Sequence, residues 1–209
     1  INVYGSDPGF SVASNGGTHT AWEDVALIRE IPGAVICDPA DDVQMEWIIK
    51  EFLKMEGIHY VRSNRKAVRN VYKKGSSFKI GQGNILKEGK DILIIAAGQL
   101  VSEALDCAEE LEKEGYSVEV IDMFTIKPLD EKLLIKEAKG KSKIVTIENH
   151  SIYGGLGSAV SEVIAENGIS VPVKRIGVKE KFGQVGTAEF LQEEFGLTAK
   201  QIKETICQF

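Results

Sequence analysis

The chain has 209 residues, 43% of them hydrophobic and 27% charged, with a formal net charge of −6. That is the make-up of an ordinary globular protein, long enough for one large or two small domains. It argues against a membrane protein or a secretory leader, because no apolar run of that kind is present, and against a nucleic-acid binder, because no basic stripe is there to neutralise phosphates. The one basic cluster, Arg62 to Lys74, reads mainly as a solvated connection. Cys37, Cys107 and Cys207 are far apart, fit no metal-ligand spacing, and point to a reducing, cytoplasmic setting. The first residue is isoleucine, which reads as the mark of a piece of a longer protein.

In chain order, Asn2-Val3-Tyr4 is the end of a strand. The glycine pair Gly16-Gly17 then makes a turn before Thr18-His19. Thr20-x-x-Glu23 reads as a capping box and predicts a helix over 20–30, with Trp22, Val25 and Ala26 on its inner face. This places His19 at a helix N-terminus, where backbone N–H groups favour anions. Ala34 to Cys37 is a short buried strand closed by Asp38-Pro39. Asp41 caps a helix with Met45, Ile48, Ile49 and Phe52 on one face, and Ile58 to Arg62 is the next strand. This alternation implies parallel pairing. Residues 73–90 are rich in Gly, Lys and Ser and read as a linker, within which Phe78-Lys79-Ile80 and Asn84-Ile85-Leu86 are candidate edge strands.

The remainder is a clearer α/β unit. Strands are expected over 91–98, 117–122, 143–148 and 173–176, and helices over 101–113, 130–139, 158–166 and 199–209, with Gly115 as a C-cap. The fold class is therefore α/β: two open, mainly parallel sheets with helices on both faces, joined by a polar linker.

Asp7, His19 and Arg65 all come from loops expected on one sheet edge. Arg62 and Arg65 leave a strand as a pair, an arrangement suited to bidentate recognition of a phosphate or carboxylate. Glu148 to Ser158 lies where a strand meets a glycine turn, with His150 as a site or interface residue and Glu148 as its possible partner. Only Gly155-x-Gly157 of the dinucleotide fingerprint is present, with Val160 at the third glycine position. His19, His59 and His150 share no short spacing, so no metal site is expected on the chain, and no Ser-His-Asp arrangement appears.

Asn15-Gly16-Gly17-Thr18-His19, then Ile28-Arg29-x-Ile31-Pro32-Gly33, Asp38-Pro39-Ala40-Asp41 and Tyr60-Val61-Arg62-Ser63-Asn64-Arg65, resemble the transketolase family. Gly89-Lys90-Asp91-Ile92-Leu93-Ile94 and Gly154-Gly155-Leu156-Gly157-Ser158 are similar to that family's C-terminal domain. The resemblance covers nearly the whole chain and implies part of a pyrimidine-binding domain over 1–72, the linker over 73–90 and the C-terminal domain over 91–209. It implies a thiamine-diphosphate enzyme, with Mg or Ca, that moves a two-carbon ketol unit between sugar phosphates in the pentose phosphate pathway. By resemblance, His19 is the substrate histidine beside the reactive carbon of the cofactor, and Arg65 binds the terminal phosphate with Arg62 as its neighbour. Asn15 stands where the family usually has an aspartate that contacts a substrate hydroxyl, and Asp7 where many members have a further histidine.

The activating glutamate and the diphosphate and metal sites are expected upstream of Ile1, so no tight cofactor binding is expected of this chain alone. The implied partners are an N-terminal transketolase subunit or domain and a second copy in a homodimer. The rival readings are a 2-oxo acid dehydrogenase β subunit, a deoxyxylulose-phosphate synthase, and a non-catalytic assembly module. The arginine pair favours a phosphosugar over a simple 2-oxo acid.

Overall fold

A computed structural model describes residues 1–209. The first strand, β1 (Asn2–Ser6), leads through a 3₁₀ turn (Gly9–Asn15) to α1 (Asp24–Arg29), β2 (Val35–Cys37), α2 (Asp42–Phe52) and β3 (His59–Ser63). Then come β4 (Asn84–Lys87), β5 (Ile92–Ala96), α3 (Val101–Lys113), β6 (Val118–Asp122), β7 (Thr125–Lys127) and α4 (Glu131–Ala138). The chain finishes with β8 (Lys143–Ser151), α5 (Leu156–Glu166), β9 (Val173–Val178), α6 (Ala188–Glu194) and α7 (Ala199–Gln208).

Two sheets result, with strand orders β1-β3-β2-β7 and β4-β6-β5-β8-β9. Within each, only the terminal strand β7 or β4 runs antiparallel to its neighbour. The expected fold class therefore holds.

The larger sheet is built around β5, buried at every position. Its alternate residues enter two different cores, as a central parallel strand requires. Ile92, Ile94 and Ala96 pack with α3 and with Leu191, Ile202 and Ile206, while Leu93 and Ile95 pack with Leu134, Leu156, Val160 and Ile164. Both cores also take residues from the first seventy positions: Phe10 and Trp22 in one, Val25, Ile36 and Tyr60 in the other. The smaller sheet thus sits on the larger one by burial, and it takes its last strand, β7, from the chain that follows β6 of the larger sheet.

Several local expectations change. The helix predicted from Thr20 begins at Asp24, because the Thr20 hydroxyl donates to the Gly16 carbonyl at 2.9 Å and the Glu23 carboxylate accepts from its neighbour Trp22 N–H. The capping box therefore does not form, and His19 lies in the turn ahead of the helix. Of the two candidate edge strands, Asn84 to Lys87 forms β4, whereas Phe78 forms none and packs edge-on against Trp47, Tyr72 and Phe124. Asp41 does cap α2, accepting from Gln44 N–H at 3.0 Å, and its other oxygen accepts the N–H groups of Val71 and Tyr72. The capping aspartate thereby ties the segment after β3 to the helix. No helix is long and apolar enough to cross a membrane.

Candidate active site

Strands β1 and β3 are parallel neighbours in register Ser6 to Ser63, so the residues leaving their C-terminal ends emerge side by side. This is the edge where open α/β sheets place ligands. Asp7 follows β1 and Arg65 follows β3. Their side chains meet, with Arg65 Nη2 donating to Asp7 Oδ2 at 2.5 Å. The Asp7 carboxylate is largely covered while the Arg65 side chain is 53% exposed. The Asp7 backbone is left-handed (φ 59°), and its N–H donates to Ser63 O at 2.8 Å. Asp7 Oδ1 is buried without a hydrogen-bond partner.

The turn after Asp7 is held by the other sheet. Asn149, buried on β8, accepts from Phe10 N–H and donates to Pro8 O, both at 3.2 Å. Gly9 permits this approach: its φ is +58°, and an added Cβ would lie 2.0 Å from Asn149 Oδ1. Beyond it, Ser11 Oγ donates to Asn64 Oδ1 at 2.6 Å and accepts from Gln99 Nε2 at 3.0 Å, in a cleft lined also by Lys66, Glu103 and Glu189.

Asn15 ends the 3₁₀ turn and His19 follows the glycine pair; both are exposed. His19 Nδ1 lies 2.9 Å from Thr18 Oγ1, and the His19 backbone N–H donates to Gly16 O. The glycine pair is needed for packing: added Cβ atoms would lie 2.7 Å from Val185 Cγ2 at Gly16 and 2.5 Å from Gly183 O at Gly17. The His19 turn is therefore braced from below by the segment between β9 and α6. No hydrogen bond joins His19 or Asn15 to Asp7 or Arg65.

Arg62 departs from expectation. It is 1% exposed, and its guanidinium donates to Asp24 Oδ2 and Asp38 Oδ2 at 2.8 Å, to Asp24 Oδ1 at 3.2 Å and to the Asn149 carbonyl at 3.0 Å. Its place as a substrate contact is corrected on that ground: a cation so enclosed and bonded has nothing to offer a ligand on the surface. It joins α1, the end of β2 and β8 instead. Tyr60 adds a hydrogen bond to Asp24 at 2.7 Å.

Burial raises the Asp24 carboxyl, but Arg62 and the Tyr60 hydroxyl outweigh it, and the group is held below its usual range. Asp38, more deeply buried, goes up despite Arg62. His150 lies on the same cluster with its Nε2 3.9 Å from Asp24, and burial together with Arg62 pushes it down to about 4. Glu148 accepts the N–H groups of Leu156 and Gly157 at the start of α5, and burial still carries it to about 7. Neither His150 nor Glu148 reaches the surface. Asp24, Asp38 and Asn149 were missed as site-bracing residues. The signal available was weak: an aspartate at each strand or helix boundary around an arginine.

A model of the "Transketolase, C-terminal domain" family matches residues 81–202. The chain belongs to the transketolase C-terminal domain family. Over 202 residues it is 41% identical to the 6-deoxy-6-sulfo-D-fructose transketolase subunit SqwH of Clostridium sp. (strain MSTE9), covering 97% of this chain and 62% of that protein. It is 34% identical over 203 residues to a 1-deoxy-D-xylulose-5-phosphate synthase of Heliobacterium modesticaldum, covering 96% of this chain and 31% of that protein. A solved structure described as "Split gene transketolase, inactive beta4 tetramer" superposes with a TM-score of 0.89 at 36% identity, over all of this chain and 65% of that one. The transketolase-family chain thus spans about two thirds of the first of these relatives and a third of the second.

Thiamine diphosphate and its metal are what the family implies. No group of three or more His, Cys, Asp or Glu side chains is arranged to hold a metal ion, so the residues present do not fit that part of the cofactor site. What they offer is an exposed imidazole, an exposed guanidinium with a carboxylate beside it, and an amide.

Proposed function

We propose that this chain supplies the substrate side of a thiamine-diphosphate transketolase, which transfers a two-carbon ketol unit between acidic sugars, sugar phosphates first among them. The bound cofactor supplies the carbanion chemistry. This chain's residues orient the sugar and move protons. His19, exposed on a turn clamped against 183–185, gives and takes a proton at the substrate hydroxyl. Arg65 meets the acidic end of the sugar, and Asn15 hydrogen-bonds a hydroxyl between the two.

The observation that carries this reading is the emergence of Asp7 and Arg65 side by side at the C-terminal ends of β1 and β3. A complementary N-terminal subunit or domain completes the cofactor site, and the assembly pairs with a second copy. The relative named as a deoxyxylulose-phosphate synthase keeps that acyl-transfer chemistry as a second reading.

The test is reconstitution with the N-terminal transketolase partner, thiamine diphosphate and Mg. Ketol transfer from a ketose to an aldose, absent with either part alone, is expected. Product formed only from pyruvate would favour the synthase, and no turnover with any donor would favour an assembly module.

A further inference from the structure

Asp7 has an unusual place for a carboxylate at an anion site. It is 8% exposed, its Oδ2 holds Arg65 Nη2 at 2.5 Å, and its Oδ1 is buried with no donor facing it. Its backbone is left-handed and anchored to Ser63 O, and the next three residues are gripped by Asn149 through Pro8 O and Phe10 N–H. An isolated bridge pairs Pro8 with Ala21 on the other side of the turn. The carboxylate is therefore carried on an anchored backbone.

Arg65 makes no other hydrogen bond, so its Nε and Nη1 donors are unused on a half-exposed side chain. An acidic sugar end can take those donors without displacing Asp7. It then sits beside a cation already matched by an anion. The next cation along the chain, Lys66, shares its cleft with Glu103 and Glu189, so it adds little uncompensated charge.

We propose that Asp7 tempers the charge preference of this site: it takes back part of the advantage that Arg65 gives a doubly charged phosphate over an end carrying one negative charge. The proposal rests on the reading of Arg65 as the group that meets the sugar's acidic end. A phosphate monoester carries about −1.5 to −2 at pH 7. A sulfonate presents the same three tetrahedral oxygens with one charge, and is bidentate to a guanidinium in the same way. Attraction to Arg65 and repulsion from the carboxylate beside it both grow in proportion to that charge, so Asp7 cancels part of what a second charge would gain. Discrimination by a built-in repulsive group is a common route to specificity.

The experiment compares kcat/KM of the full enzyme for three acceptor aldoses of equal length, ending in phosphate, sulfonate or hydroxymethyl. Asp7→Asn keeps the shape and tolerates the left-handed backbone. It should cut the sulfonate-to-phosphate ratio about tenfold, the change residing in KM. Arg65→Ala should weaken both acidic ends against the neutral one. An unchanged ratio in Asp7→Asn, with Arg65→Ala still effective, would overturn the tempering by Asp7 and leave the Arg65 contact standing. No effect of Arg65→Ala on any end would remove the reading of Arg65, and the proposal with it.

Discussion

The two sheets share apolar burial but differ in the polar bonds that add to it. In the larger one, β5 is buried along its length and divides its side chains between two apolar cores. In the smaller one, β1 is an edge strand exposed at four of its five positions, and the element at the centre of the contact is a buried arginine with two aspartates. An apolar core tolerates small errors of placement. A buried ion cluster does not, since each member left unpaired is costly. The contrast teaches that the C-terminal domain serves as the scaffold: Asn149 holds the turn after Asp7 by hydrogen bonds, and residues 183–185 pack against the glycine pair before His19.

The largest effect is expected at the ion cluster. Arg62→Ala should cost about 3–5 kcal/mol, because Asp38 and Asp24 are left as buried, uncompensated charges. Urea denaturation should show it, and a loss below about 1 kcal/mol would mean that water replaces the guanidinium freely. Leu93→Ala, in the larger sheet, should cost about 2–5 kcal/mol through lost burial and a cavity. The two should differ in kind: hydrogen exchange should show Arg62→Ala loosening β1 and α1 first and Leu93→Ala weakening β5 and β8 throughout. The same exchange pattern for both would erase the distinction between the sheets.

Arg65→Ala should leave folding almost unchanged, being half exposed, while weakening acidic sugars by about 1.5–3 kcal/mol relative to neutral ones. Equal loss for both, measured by KM in the completed enzyme, would make Arg65 a purely structural partner of Asp7.

A further effect is one of pH. Asp122, wholly buried on β6, is pushed up to about 7 by burial, against hydrogen bonds from Tyr72 and Gln44. The folded state holds this proton more tightly than the unfolded chain, whose ordinary value is 3.8. The associated stability is complete below that value and is lost as pH rises from about 4 to about 7. His150 works the other way: held down to about 4, its contribution is complete above the ordinary 6.5 and falls as pH drops toward 4. Comparing Asp122→Asn with the unaltered chain isolates the first term, and the advantage of the aspartate should shrink between pH 4 and 7. A constant difference would show that Asp122 is ionised throughout.

Sequence pattern reveals one sheet better than the other for the same reason. The run Asp91 to Gly98 names a buried strand because burial on both faces demands unbroken apolar residues. Strand β7 escapes notice because three residues carry no period, and its pairing with β2 spans the chain. Helix α6 escapes because seven residues offer barely two turns. The capping box misleads because Thr20 has a nearer acceptor in Gly16 O, created by the turn itself. Asp7 and Arg65 are legible as neighbours since strand order places them so. The burial of Arg62 is not, because its partners Asp24, Asp38 and Asn149 are separated from it by 38, 24 and 87 positions.

The central claim is that the C-terminal scaffold presents His19 for proton transfer rather than using it to hold the fold. The direct test is His19→Ala in the enzyme completed by its N-terminal partner, following turnover and thermal unfolding together. Turnover should fall by roughly two orders of magnitude, the usual size of a lost general acid–base contribution, with the melting temperature unchanged because an exposed turn residue buries little. Turnover that survives while the melting temperature drops would make His19 a structural residue of the glycine turn and contradict the account.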